Sequence, residues 1–188
     1  MVQKMPVWFP GAIYHVTCCC RWNETIFDED ADFINYLSLI ESVRYQYPFY
    51  LHSYCLTRNH IQLLLETTHI PMKDVVETLN YEFLCYLQTK HVNFLPQVQA
   101  NLIDSVDNFL KASKKIHLAP RKLNFPLKEY RWSSYQAFSS YTPNDHVVTS
   151  QVLTYFKQPK MDQYCRFVED DEMEATNLWG DPKKEAIQ

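Results

Sequence analysis

The stretch Asn59-His60-Ile61-Gln62-Leu63-Leu64-Leu65 places an imidazole and an amide two residues apart in an apolar run. In a β-strand residues i and i+2 share a face, so His60 and Gln62 point together while Ile61, Leu63 and Leu65 point the other way. Two groups able to ligate a divalent metal or meet a phosphate therefore converge. The spacing equally fits a strand whose polar face meets only solvent, and by itself it leaves both readings open.

The charge pattern bears on the same question. The chain of 188 residues carries a formal net charge of −4, unevenly distributed. Between Lys111 and Arg131 lie Lys111, Lys114, Lys115, Arg121, Lys122, Lys128 and Arg131 against Glu129 alone. Between Asp162 and Glu185 the balance reverses, with Asp162, Glu169, Asp170, Asp171, Glu172, Glu174, Asp181 and Glu185 against Arg166, Lys183 and Lys184. A basic segment binds phosphate backbones by releasing counterions, and an acidic segment can compete for the same surface. Two ordinary solvated faces would show the same pattern.

The elements that must position these groups follow from periodicity and turn chemistry. Residues 12–18 read as a strand, with Tyr14, Val16 and Cys18 on one side and Ile13, His15 and Thr17 on the other, before a loop at Arg21-Trp22-Asn23. Carboxylates from Asp28 to Asp32 suit a helix N-terminus, and Phe33, Tyr36, Leu37, Ile40 and Val43 follow at helical spacing until Pro48. Phe49 to Thr57 and His60 to Thr67 read as two strands joined by a hairpin at Arg58-Asn59. A second helix after Pro71 buries Met72, Val75, Val76, Leu79, Phe83, Tyr86 and Leu87. Val98 to Val106 is expected as a fourth strand, with Ser105 or Asp107 capping a helix that runs towards Pro120. The order βαββαβ followed by a helix predicts an α+β, ferredoxin-like sandwich: an antiparallel sheet with helices on one face and the other face free for a site. Residues 1–177 are expected to form one domain, with 121–177 as a C-terminal helical arm and 178–188 as a flexible tail.

Composition narrows the class further. Hydrophobic residues make up 46% of the chain, yet no run approaches the roughly 20 apolar residues of a membrane span. The first ten residues lack a basic segment followed by an apolar one, so a cytoplasmic protein with no membrane partner is expected. The six cysteines show neither CxxC pairs nor metal-finger spacing, which fits reduced thiols better than disulfides.

Several pieces taken in order resemble a known family: Pro10-Gly11-Ala12-Ile13-Tyr14-His15-Val16-Thr17, Leu51 through His60, Ile116-His117-Leu118 with Pro120, and Tyr130-Arg131-Trp132-Ser133-Ser134-Tyr135. Together they resemble the REP-associated, or single-tyrosine, transposases. That resemblance implies a nuclease fold that cuts single-stranded DNA with a His-hydrophobic-His strand motif holding a divalent metal, Mg²⁺ or Mn²⁺, and one helix-borne tyrosine that attacks the phosphodiester. It also implies single-stranded or hairpin DNA as partner and a homodimer.

Aligned to that pattern, this chain departs from it where the chemistry would be. Gln62 stands in place of the second histidine. Lys115 stands at the tyrosine position of the Tyr-Ile-His-Leu-Asn-Pro motif, and Ala119 at the position of its asparagine. Gln62 alone is tolerable, because an amide oxygen can coordinate a hard cation, as in the His-hydrophobic-Gln motif of viral replication initiators. Lysine cannot form the phosphodiester that conserves the cut end, and Ala119 offers no ligand. No catalytic residue is therefore expected, with His60 and Gln62 as a residual metal pair. The expected DNA contacts are Arg21, Asn23, Arg58, Lys111, Lys114, Lys115, Arg121, Lys122, Arg131 and Trp132, the last serving either to stack on a base or to wedge the arm onto the domain. Two alternatives remain: a nuclease recruiting Tyr81, Tyr86 or Tyr130, and a protein-interaction scaffold built on the same fold.

Overall fold

The computed structural model describes residues 7–20, 25–92 and 95–170. Phe9 to Ala12 form a type II turn closed by the Ala12 N–H on the Phe9 carbonyl at 3.0 Å. Gly11 takes the positive φ of 80° that the third position of such a turn requires. The turn feeds β1 (Ile13–Cys20), followed by α1 (Asp30–Gln46), β2 (Phe49–Thr57), β3 (His60–Thr67), α2 (Met72–Thr89) and β4 (Pro96–Ile103). The four strands form an antiparallel sheet in the order β2-β3-β1-β4. This is the expected ferredoxin-like arrangement.

Helix α1 opens on a capping box between Glu29 and Asp32, with the Asp32 carboxylate also accepting from the Asp28 N–H at 2.8 Å. Tyr86 and Lys90 of the α2 end close on the same carboxylate at 2.9 and 2.6 Å. Cross-strand register gathers Tyr14, Val16 and Cys18 with Leu65, Leu63 and Ile61 on one sheet face. That face packs under α1 and α2, where Phe27, Phe33, Tyr36, Phe83 and Tyr86 form a ring cluster with centroids 4.6 to 6.0 Å apart. Edge-to-face and offset contacts of this kind add about 0.5–1.5 kcal/mol per pair beyond area burial.

β4 begins earlier than the expected 98–106, and it ends earlier because Ser105 caps the next helix. Its side chain accepts from the Asn108 N–H, drawing Val106 out of the strand and into α3 (Val106–His117). A 3-10 turn over Ala119–Leu123 and another over Leu127–Glu129 lead into α4 (Tyr135–Ser139), α5 (Thr149–Leu153) and α6 (Lys160–Glu169). Ala119 therefore starts a new turn instead of continuing the α3 face. Pro120 lacks the N–H that another α-helical turn would need.

The second sheet face is not left wholly free, in contrast to the expectation. α3 packs across β2 and β3 on that side. The arm that follows also seals the β2 edge: Leu56 N–H donates to the Trp132 carbonyl at 2.9 Å, Ser134 N–H to the Tyr54 carbonyl at 3.0 Å, and Val148 N–H to the Leu51 carbonyl at 2.8 Å. Exposed side chains on that face remain along β4, at Gln97, Gln99 and Asn101. All six cysteines are free thiols. No helix among the described residues is long and apolar enough to cross a membrane.

Candidate functional site

Strand alternation and register place three rows of side chains on the face beneath α3. Gln97, Cys19, His60 and Thr57 form one row, and Gln99, Thr17, Gln62 and Cys55 the next. Asn101, His15, Leu64 and Ser53 form the third. His60 and Gln62 share this face, as the i, i+2 spacing requires. His15, on the neighbouring strand and only 5% exposed, reaches diagonally to Gln62, with Nε2 3.4 Å from Oε1. Its placement opposite Tyr14 is legible from alternation, but its adjacency to Gln62 depends on the β1–β3 register.

Two lysines complete the constellation. Burial, then the Lys115 charge, lowers the His15 pKa, against an opposing hydrogen bond with Gln62. Burial and then the Lys122 charge lower that of His60. Both imidazoles are thus held neutral at pH 7 with an ammonium group nearby. His60 Nδ1 lies 2.7 Å from the Asn59 side-chain oxygen, which as acceptor leaves Nε2 with its lone pair. Lys115 and Lys122 are exposed and have no hydrogen-bond or ion-pair partner among the described residues.

The basic run that is continuous in sequence divides into separate surfaces. Lys111 lies one helical turn from Lys115 on the same side of α3 and pairs with Asp107 at 2.7 Å. Lys114 and Arg121 turn away to the end of α6, donating to the Asp170 and Glu169 carbonyls at 2.6 and 2.8 Å. Arg58 pairs with Asp28 and Arg131 with Asp30, at 2.9 and 2.8 Å. These exposed pairs are weak and open to exchange with phosphate, and among the described basic residues Lys115 and Lys122 are those whose charges act on His15 and His60. Arg21 and Asn23 lie outside the described residues. Trp132 is 9% exposed, stacked on Phe33 at 4.5 Å and overlain by the Arg131 guanidinium. Its surroundings are those of a wedge between the arm and α1, and they correct its placement among the exposed DNA contacts.

His60 and Gln62 would be the residues to hold a divalent cation, and the structure offers such an ion few further ligands. Among the described residues no group of three or more His, Cys, Asp or Glu side chains gathers to hold a metal. Mg²⁺ and Mn²⁺ favour oxygen ligands, usually carboxylates. Here the available donors are two imidazoles and one amide whose oxygen already faces His15, and the adjacent charges are positive. Ala119 adds nothing to that set.

Tyr81, Tyr86 and Tyr130, the tyrosines expected as alternative nucleophiles, lie elsewhere. Tyr81 and Tyr86 stand on α2, which packs on the opposite sheet face, as the Cys18 Sγ to Asn80 Oδ1 contact at 3.4 Å shows. Tyr130 is buried with its hydroxyl donating to the Leu56 carbonyl at 2.7 Å, and burial raises its pKa. A nucleophile must come within about 3–3.5 Å of the phosphorus, whereas Tyr81 and Tyr86 lie across the sheet from His60 and Gln62 and the Tyr130 hydroxyl is tied to a backbone carbonyl.

A second polar cluster lies behind α3. His117 is fully buried, with Nδ1 2.6 Å from the Tyr164 hydroxyl and Nε2 2.8 Å from the Ser134 hydroxyl. Ser113 meets the same Tyr164 hydroxyl at 2.6 Å, and Ser134 Oγ lies 2.9 Å from Tyr54 N and 3.2 Å from Tyr54 O. One proton order satisfies every group: Ser113 donates to Tyr164, Tyr164 to His117 Nδ1, His117 Nε2–H to Ser134, and Ser134 to the Tyr54 carbonyl. Burial lowers the His117 pKa to about 3. This clamp ties α3, α6, β2 and the arm together, and it is a role that no spacing in the sequence reveals.

With this geometry in hand, the chain can be set beside known proteins. No family model matches it, and no curated protein does. A solved REP-associated tyrosine transposase bound to a REP hairpin superposes with a TM-score of 0.64, at 10% identity, over 79% of this chain and 98% of that one. This chain has the same fold. A putative transposase of Deinococcus radiodurans R1 matches at a TM-score of 0.42 and 11% identity, over 55% of this chain and 88% of that one. At 10% identity the likeness to the first of these shows the fold alone.

Proposed function

We propose that this transposase-like chain binds single-stranded or hairpin DNA on the face of His15, His60 and Gln62, with Lys115 and Lys122 holding phosphates, and that strand cleavage and transfer are lost. The observation that carries the reading is the pair of exposed lysines, Lys115 and Lys122, beside the face of His15, His60 and Gln62, whose charges act on the two imidazoles. An ammonium at the former nucleophile position binds the phosphate that a phenolate would attack. The fold neighbour solved with a REP hairpin supports a hairpin-like ligand. A cytoplasmic location and a homodimer belong to the same reading, and the dimer is checked by light scattering of the free chain.

The test compares the natural chain with a Lys115→Tyr/Ala119→Asn/Gln62→His variant on single-stranded hairpin DNA, with Mg²⁺ or Mn²⁺ and with chelator. The natural chain is expected to bind in a salt-sensitive, chelator-insensitive way and to form no covalent adduct, while the restored variant cuts. Lys115→Ala and Lys122→Ala should each reduce the slope of log affinity against log salt by about 0.7. A covalent adduct with the natural chain would overturn the loss of cleavage. Equally weak binding to every nucleic acid at low salt would overturn the DNA reading and turn attention to a protein partner.

A further inference from the structure

The two edges of the sheet are treated differently. The β2 edge is sealed by the arm through backbone bonds from Trp132, Ser134 and Val148. The β4 edge carries no such cover among the described residues, and from Pro96 to Ile103 it contains no charged side chain. Open edges are ordinarily blunted by lysine, proline or a bulge. Here the outward positions are three amides, Gln97, Gln99 and Asn101, all exposed, while Val98, Ala100 and Leu102 turn towards the core. No side-chain hydrogen bond to another described residue engages any of the three amides.

Register places this strip beside the candidate site. Gln97, Gln99 and Asn101 lie directly across from Cys19, Thr17 and His15, which in turn face His60, Gln62 and Leu64. Two strand spacings, about 10 Å, separate the amides from the His60–Gln62 row. Successive amides are about 7 Å apart along the strand, roughly twice the 3.4 Å rise of a stacked nucleotide. That spacing suits the bases of an unstacked strand, or every second base of a stacked one.

We infer that Gln97, Gln99 and Asn101 form a base-reading strip for the strand whose phosphates lie at Lys115 and Lys122, with a preference for adenine. The inference rests on the DNA-binding reading above and adds the part of the ligand that the lysines cannot distinguish. A primary amide presents a donor and an acceptor side by side, which matches the N6 amino group and N7 of adenine in a bidentate pair. Splayed single-stranded bases expose these edges. Neutral amides displace no counterions, so the strip sets sequence preference and leaves salt dependence to the lysines.

The experiment measures affinity of the full chain for a short single strand containing adenines, the same strand with 7-deazaadenine, and the same strand with thymines. The natural chain should favour adenine over both by about tenfold or more. A Gln97→Ala/Gln99→Ala/Asn101→Ala variant should lose that preference with its salt slope unchanged, and Gln99→Ala alone should lose part of it. Lys115→Ala/Lys122→Ala should do the opposite, lowering the slope and keeping the preference. Salt-sensitive binding without adenine preference, or a preference that survives the triple variant, overturns the inference and leaves the DNA-binding reading standing. Absence of salt-sensitive binding overturns both.

Discussion

His117 and His15 are both buried and both neutral at pH 7, yet they sit in regions built on opposite terms. His117 is bonded through both ring nitrogens in a chain of hydroxyls that ends on a backbone carbonyl of β2. His15 has one longer contact, to Gln62, and faces the charge of an exposed lysine. In the first region any change leaves a buried donor or acceptor unsatisfied, at about 1–3 kcal/mol per group. In the second, water or a ligand takes up what the protein leaves open. The difference explains the uneven resemblance to single-tyrosine transposases. His117 and Ser134, which belong to the matching motif pieces, also hold the arm in place, while Lys115 is exposed and Gln62 only partly buried.

This contrast is most sharply tested by pH. The folded-state pKa of His117, about 3, lies below its ordinary value of 6.5, so the unfolded chain takes up the proton first. Stability from this residue is complete above pH 6.5 and declines as the pH falls towards 3, by on the order of 4–5 kcal/mol. Urea unfolding from pH 7 to 3 should show the decline, and His117→Gln should flatten it. Asp32 adds to the loss at lower pH still. Burial pushes its carboxyl up, but bonds from Lys90, the Glu29 and Asp28 amides and Tyr86 hold it below the usual carboxylate value.

A smaller effect is expected from deleting the clamp at neutral pH. His117→Ala leaves Ser134 and Tyr164 without a shared partner and opens a cavity, and it should destabilise the chain by about 3 kcal/mol in thermal or urea unfolding. A change below about 1 kcal/mol would show that water replaces the imidazole and that the two regions are less different than their geometry indicates. The smallest effect belongs to the open face. Lys115 is exposed, and Lys115→Tyr should shift stability by no more than about 0.5 kcal/mol. A larger loss in the same unfolding assay would mean that the face too is constrained by the fold.

Much of the architecture is legible in the order of the residues. The strand limits Phe49–Thr57 and His60–Thr67, the two-residue hairpin between them and the helix after Pro71 follow from patterns spanning a few residues. The common face of His60 and Gln62 follows from the pleat. The end of β4 is not legible in this way, because capping by Ser105 competes with a β-branched residue at Val106, and propensity alone does not decide that contest. Trp132 can be read from the sequence as a stacker or, by preference, a wedge, and its burial against Phe33 decides for the wedge.

Alternation, turn chemistry and capping patterns therefore determined most of the elements and which residues share their faces. The tertiary structure alone decided which groups meet: His15 with Gln62, His117 with Ser134 and Tyr164, and Lys115 and Lys122 with the histidine rows while Lys114 and Arg121 turn to α6. The reason is physical. Periodicity acts between residues a turn or a pleat apart, whereas these meetings depend on cross-strand register and on how the arm closes over β2, which chain-distant packing sets.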